Sequence, residues 1–590
     1  MVDGHFLPCV DFVYNTGKSQ VLTHEQGLFA KMISLMAFGP EKSILPLIPA
    51  VRKLVNCADL PKPKKLKDKA KLRFCGGDFL RGHLRKKFSL ALTGKQAVYG
   101  FNSGLYAPTA FASNEHNEKQ ALYARVLANT IEPSTLLLDC IQWAKTNHKA
   151  LFKKMWDVQS VPFDVYLRRS NASPSVKRVL QIAHDKLCKL GIDENSHLSK
   201  SQLYQMTYRS SFVKIENDSY TSPLGRKDKA PRLIQGATPE FICLVGPWIM
   251  ALQDLLKRRW NVKNNLCFTS GLHADACAKY ISDGVGEYLE DDLGKFDCSI
   301  RRPWCEYEVW LAKRFGAPCA VIDLMTANIN THGSTLHGWR YKCDGTRKSG
   351  DPYTSLMNSV INGISHLFLY CKWTGHTVTQ SQKTIKMLLQ GDDNLMRHME
   401  REHFPWREGM AELGFDSEAL YRRNADTVEF CSMRLYPTDK GLMFGPKPGR
   451  VLSRLGYCVN PPMGVSRESM MRGIALGLKK NCNFVPPLRL VLERVLELTD
   501  GHKAVYQRGF QEHVIKVKGN YEPVSATWHQ LYEQYFYSHT DHAWLSEEVS
   551  HIQLGDQYKT PIIYKLFDRD TSGPQRIFGT IGTLSLPIAA

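Results

Sequence analysis

Apolar and polar positions change rhythm along the chain. From Glu118 to Trp156 apolar residues recur at three- and four-residue steps, the pattern of two helices. Pro174 to Gly191 repeats that rhythm and closes on a glycine, which suits a helix C-terminus. Between about Tyr288 and Tyr436 it gives way to short strand-like runs, glycine-bearing turns and intervening helices. From Pro486 to Val514 the helical spacing returns. The pattern predicts a helical lobe, a mixed α/β centre and a second helical lobe. The most apolar run, Phe241 to Leu252, is shorter than the ~18 residues a membrane span needs, and Pro247 interrupts it. The opening residues show no basic region followed by an apolar core, so no signal peptide is expected.

Within the centre, Lys386 to His398 reads KMLLQGDDNLMRH. A strand–turn–strand that packs Leu388, Leu389 and Leu395 holds Asp392 and Asp393 at a tight bend. Two like charges there need compensation, and a divalent cation supplies it, because hard cations take carboxylate oxygens. Gly-Asp-Asp alone also fits an ordinary polar turn, so the partners decide. YLEDDLGKFDCSI (Tyr288 to Ile300) contains Asp292 and, five residues later, Asp297. If YLEDDL is a strand entering a turn, Asp292 sits near its end and Asp297 starts the next helix, facing the same cleft. Carboxylates converging from two strands make a two-metal site. Ions roughly 3.5–4 Å apart there activate a 3′-hydroxyl and stabilise a pyrophosphate leaving group. The alternative is that these acids form surface turns.

RKSGDPYTSLMNSVING (Arg347 to Gly363) adds a flexible turn at Ser349 and Gly350. Thr354 and Asn358 then share a helical face. A hydroxyl and an amide there suit a ribose 2′-hydroxyl, which both donates and accepts hydrogen bonds; an N-capped buried helix is the plainer reading. Upstream, Lys214, Lys227, Lys229 and Arg232 could grip a triphosphate from a strand pair.

Charge sharpens this picture. Lys and Arg number 77 against 57 Asp and Glu, a net charge of +20 in 590 residues, which points to a polyanion as partner, nucleic acid or an anionic membrane surface. Basic residues concentrate in Pro61 to Arg73 and Arg81 to Lys87, as a phosphate-contacting arm or a solvated linker. The 16 cysteines include no C-x-x-C pair, so reduced thiols in a cytosolic setting are expected rather than a disulfide framework or a zinc module.

Taken in order, these segments resemble the RNA-dependent RNA polymerases of positive-strand RNA viruses, nearest the tombusvirus-like and nodavirus-like groups. KAPRLIQG is similar to fingers motif F, DLGKFD to palm motif A, SGDPYTSLMN to motif B, QGDD to motif C and EFCSMRLYP to motif E. FSLALTGKQAVY (Phe88 to Tyr99) resembles a template-contacting segment of the tombusvirus-like fingers. The resemblance implies an α+β right-handed polymerase with a closed hand. Residues 1–90 are then a basic extension and fingertips, 91–285 fingers, 286–436 palm with a fingers insertion at about 301–346, and 437–590 thumb. It implies Asp292, Asp392 and Asp393 as catalytic metal ligands, with Mg²⁺ or Mn²⁺ as the cofactor. Asp297, Ser349 and Asn358 select ribose, Thr354 supports them, and Arg232, Lys229 and Lys214 line the triphosphate path. Implied partners are template and nascent RNA, NTPs and other viral replication proteins. The setting is the host cytoplasm, in replication complexes that reach membranes only indirectly.

One departure stands out. After ELGF (Glu412 to Phe415), related polymerases place a lysine that protonates pyrophosphate; here the positions read Asp416, Ser417 and Glu418, and no general acid is assigned. The aromatic segment WHQLYEQYFYSH (Trp528 to His539) is expected to be either thumb core or a stacking platform for primer-independent initiation. Two rival classes remain: a reverse transcriptase or DNA polymerase sharing the palm, and a non-enzymatic RNA-binding protein.

Overall fold

The computed structural model describes residues 111–571 except 154–156, 215–218, 221–230, 401–402, 460–463, 507–518 and 557–559. It also describes the short strands Phe79–Leu80, Gln96–Val98 and Pro108–Thr109. The chain divides into two compact units, and all described elements belong to the larger. The smaller (residues 1–71 with 222–227) lies outside the described residues, as do the basic stretches near residues 61–73 and 81–87 and Lys227 and Lys229.

A mixed sheet occupies the centre. The hairpin Ile385–Gln390 and Asp393–His398 pairs antiparallel on one side with Glu287–Gly294 and parallel on the other with Leu266–Phe268. Asp416–Ser417 and Leu420–Arg422 flank Glu287–Gly294. Strand alternation sends neighbouring side chains to opposite faces. Met387, Leu389 and Met396 enter one hydrophobic core, with Trp248, Trp260 and Ile361. Leu388 and Leu395 enter a second, with Tyr436, Val495 and Leu531. Burial on both faces fixes the register, because a one-residue slip would exchange the two sets.

A second sheet joins segments far apart in sequence. Arg209–Val213 pairs antiparallel with Leu233–Gly236 and parallel with Asn330–Thr335, which turns back into Arg340–Asp344. A third sheet is built from Glu429–Phe430, Met433–Thr438 and Gly441–Pro446.

The helical segments depart from expectation in places. The Glu118–Trp156 pattern resolves into a helix from Glu115 that widens into a π-turn at Leu122–Val126, then Leu136–Thr146 and His148–Phe152; Trp156 lies outside the described residues. Pro174–Lys189 is a helix, with Gly191 left-handed beyond it at φ 65°. The apolar run belongs to a longer helix, Pro239–Arg259, which continues through Pro247. By length and composition it is long and apolar enough to cross a membrane. Its side chains, among them Phe241, Trp248 and Leu252, instead form the centre of the first core. The C-terminal pattern ends early: the helix Pro486–Leu498 stops before Gly501, which adopts φ 77°.

Candidate active site

The turn between Gln390 and Asp393 contains Gly391 and Asp392. Gly391 has φ 67°, the left-handed region that a tight hairpin turn demands and glycine supplies cheaply. Directly across the sheet, Asp393 pairs with Asp292 and Asn394 with Asp291. The two-residue period therefore separates the adjacent acids of EDD. Glu290 and Asp292 share the face of Asp393, while Asp291 turns to the opposite face, against the helix Thr354–Thr374.

That helix clamps the turn. Ser359 Oγ accepts from the Gly391 N–H at 2.7 Å. Asn362 Nδ2 donates to the Gly391 carbonyl at 3.1 Å and to the Asp392 carbonyl at 2.9 Å, while its Oδ1 accepts from Asn394 at 2.9 Å. His366 lies 2.9 Å from Asp291, and Ser417 donates to the same carboxylate at 2.8 Å. Ser355 accepts from Gln390 at 3.2 Å. Ser355, Ser359, Asn362 and His366 follow at steps of four, three and four. A polar stripe at helical spacing within an otherwise buried helix was the available signal for these residues, and the motif-based reading passed over it.

The carboxylates crowd one another. Burial raises the Asp393 carboxyl, and Asp392 and Asp292 raise it further, to about 7; the Cys431 thiol and Arg450 pull the other way. Burial also raises Asp392, with repulsion from Asp297, against the pull of Arg232 and Arg125. Asp392 and Asp393 are only half-buried and Asp292 is exposed, so the acids are open to solvent rather than sealed in the core. Like charges directly opposite on paired strands are destabilising. The donor set is all carboxylate oxygen, which fits a hard divalent cation better than zinc. Among the described residues no group of three acid, His or Cys side chains already converges as a closed metal cage. The fit therefore rests on the donor chemistry and the mutual repulsion.

Beside these acids lies a polar cluster. Asp297, on the short helix Phe296–Ser299, accepts from Asn358 Nδ2 at 2.8 Å and from Ser349 Oγ. Gly350 is left-handed at φ 119°, and a Cβ there would stand 3.2 Å from the Gln235 carbonyl oxygen. The Gln235 N–H donates to the Ser349 carbonyl at 2.7 Å, tying this turn to the strand Leu233–Gly236. Thr354 faces elsewhere: its hydroxyl donates to the Lys348 carbonyl at 2.7 Å and stiffens the loop, without a bond to Asp297 or Asn358. Beneath, Arg209 pairs with Asp351 at 2.8 Å, both side chains fully buried.

The structure thus brings Asp292, Asp392, Asp393, Asp297, Ser349 and Asn358 into one neighbourhood, with Arg232 within electrostatic reach of Asp392. Lys214 joins through its backbone, its N–H donating to the Arg232 carbonyl at 2.8 Å. Lys229 lies outside the described residues. Arg125 and Arg450 were not foreseen; they approach from segments distant in sequence, and no local pattern marks them. Cys431 lies in EFCSMRLYP, the stretch similar to motif E, but no role beside the acids was expected of it.

Chemically, the arrangement can hold hard cations beside a sugar and a phosphate chain, which is what a nucleotidyl-transfer site requires. Residues 151–468, more than half of the chain, match the family described as RNA dependent RNA polymerase, and the chain belongs to that family. It is 25% identical over 286 residues to the RNA-directed RNA polymerase of Pariacoto virus, covering 46% of this chain and 28% of that protein. The polymerase of Pothos latent virus (isolate Pigeonpea/India) is 23% identical over 272 residues, 42% of this chain and 34% of that protein. That of Maize chlorotic mottle virus (isolate United States/Kansas/1987) is 24% identical over 274 residues, 42% and 26% respectively. The matched region spans about a quarter to a third of these relatives.

Proposed function

We propose that the chain is an RNA-directed RNA polymerase that copies a viral RNA genome from NTPs. The observation that carries this reading is the pairing of Asp292 with Asp393 beside the Gly391–Asp392 turn, with the Asp297–Ser349–Asn358 cluster next to it. Asp292, Asp392 and Asp393 would hold two Mg²⁺ or Mn²⁺ ions. When bound, these supply Lewis acidity for a 3′-hydroxyl attack and for the leaving pyrophosphate. The chain's own residues do the rest. Asn362 and Ser359 hold the turn so that Asp392 keeps its direction. Asp297, Ser349 and Asn358 meet the ribose. Arg232, with Lys214 and Lys229 nearby in sequence, receives the triphosphate.

The architecture we favour is a right hand. Palm strands lie within 286–436, joined in the same sheet by Leu266–Phe268 from outside that range; the rest of 91–285 is fingers and 437–590 thumb, with residues 1–90 as a basic extension. The strands Asn330–Thr335 and Arg340–Asp344 join the sheet of Arg209–Val213, which supports assigning 301–346 to the fingers. For primer-independent initiation the aromatic segment narrows. Leu531, Tyr535 and Tyr537 are buried, and Trp528 stacks on His539 with centroids 4.1 Å apart, while Tyr532 and Phe536 remain exposed as candidate stacking surfaces. RNA and NTPs are the partners in this reading. Contacts with other replication proteins and an indirect membrane setting in the host cytoplasm extend it.

Incorporation of labelled nucleotides on unprimed single-stranded RNA tests the proposal. Wild type is expected to incorporate NTPs, to use dNTPs poorly, and to lose at least about 100-fold with Asp392→Asn. Equal use of dNTPs would favour a reverse transcriptase, and RNA binding without synthesis a non-enzymatic protein.

A further inference from the structure

The cluster around Asp297 has a second layer that none of the sequence motifs explains. Asn358 Oδ1 accepts from Arg347 Nε at 2.8 Å while Asn358 Nδ2 donates to Asp297 at 2.8 Å. A guanidinium only donates and a carboxylate only accepts, so both neighbours impose the same orientation on the amide. Arg347 is itself fixed from three sides. Its Nη1 donates to Glu308 at 2.9 Å and its Nη2 bonds the other oxygen of that carboxylate. Its backbone N–H donates to the Asp297 carbonyl at 2.7 Å, and its guanidinium lies 5.4 Å from the Tyr353 ring centroid. Arg347 and Glu308 are both buried. A buried ion pair is weak evidence of stabilisation, because desolvation offsets its attraction. This one delivers its third donor to a side chain at the sugar-reading cluster.

We infer that Arg347 and Glu308 are positioning residues for sugar selection, acting through Asn358. The inference rests on the polymerase reading above. With Oδ1 held by Arg347 and one amide hydrogen on Asp297, the second amide hydrogen can donate to a ribose 2′-oxygen. Asp297 retains lone pairs to accept the 2′-hydroxyl proton. Substrate therefore meets a fixed donor and a fixed acceptor, the complement of a hydroxyl. A 2′-deoxy sugar leaves both unmet, and a site built to hydrogen-bond a hydroxyl rejects such analogues far more strongly than a site that reads shape. An Asn358 released from Arg347 could turn its amide or leave the cluster, and the complement would be lost.

The test is the ratio of kcat/KM for an NTP to that for the matching dNTP, measured on the full chain with primed template. Arg347→Lys keeps the charge but cannot chelate Glu308 and bond Asn358 together. It is expected to lower the ratio about tenfold or more, chiefly through the NTP, with dNTP use nearly unchanged. Glu308→Gln, of the same shape, is expected to shift the ratio in the same direction by less. Because the pair acts through Asn358, Arg347→Lys added to Asn358→Ala is expected to leave the ratio where Asn358→Ala alone puts it. Parallel loss for both nucleotides at an unchanged ratio, as misfolding or a merely structural role gives, would overturn the inference. So would additive effects in the double variant. Failure of the wild type to incorporate NTPs would instead bring down the polymerase reading, and this inference with it.

Discussion

Asn362 gives one amide nitrogen to two successive carbonyls, those of Gly391 and Asp392, and is itself fully buried. Removing it leaves turn carbonyls without a donor, which costs about 1–3 kcal/mol where water cannot replace it. Asn362→Ala should therefore lower stability by that amount in denaturant titration. It should also cut nucleotide incorporation by about tenfold or more, because the turn aims Asp392. Full incorporation by a folded Asn362→Ala protein would show that the clamp does not matter to chemistry. At this scale the acids were readable because adjacent like charges at a bend between apolar runs demand an explanation. Thr354 was placed on the right helix, but its hydroxyl bonds the Lys348 carbonyl, because the loop leading into the helix brings that carbonyl within its reach. Arg347 and Glu308 escaped notice because their significance arises from a bond to Asn358 made across 11 residues and a salt bridge across 39.

Among the elements, the hairpin Glu429–Phe430 and Met433–Thr438 concentrates unusual features. Its two-residue turn, Cys431 and Ser432, is left-handed at both positions, φ 50° and 60°, without a glycine. Such strain persists where surrounding structure holds it. Here Glu429 takes ion pairs from both Arg434 and Lys447, and all three side chains are largely withdrawn from solvent. Burial works against the Glu429 charge, but Arg434 and Lys447 outweigh it and hold the carboxyl below its ordinary value of 4.5. A depressed carboxyl contributes stability above its unfolded pKa and loses it as pH falls through the folded one. Glu429→Gln should thus cost about 3 kcal/mol near neutral pH. The gap between wild type and variant should close as pH drops below about 4.5. A gap that stays constant down to pH 3 in thermal unfolding would contradict this. Helix lengths were less readable than helix positions. Pro247 does not stop Pro239–Arg259 because the packed core around Phe241 and Trp248 overrides a local break. The later helix stops at Leu498 although its apolar spacing continues, because a left-handed Gly501 follows.

Across the whole molecule, a net charge of +20 suits a long polyanion, and the pairings that matter are long-range. Leu266–Phe268 lies parallel to Ile385–Gln390, and Arg209–Val213 parallel to Asn330–Thr335. Parallel pairings need long crossovers and leave no turn signature, so the sequence alone showed a mixed centre without its strand order. The hairpin around Gly391 was legible because a glycine turn and flanking apolar residues encode it locally. Family membership and the meeting of Asp292 with Asp393 rest on different observations and point to the same chemistry. The most direct measurement is anomalous diffraction from crystals soaked in Mn²⁺ at pH 8, where Asp393, raised to about 7, carries its charge. The account predicts manganese peaks bounded by the carboxylates of Asp292, Asp392 and Asp393, and their loss in Asp292→Asn. Manganese bound only elsewhere, with those three side chains turned apart, would contradict it.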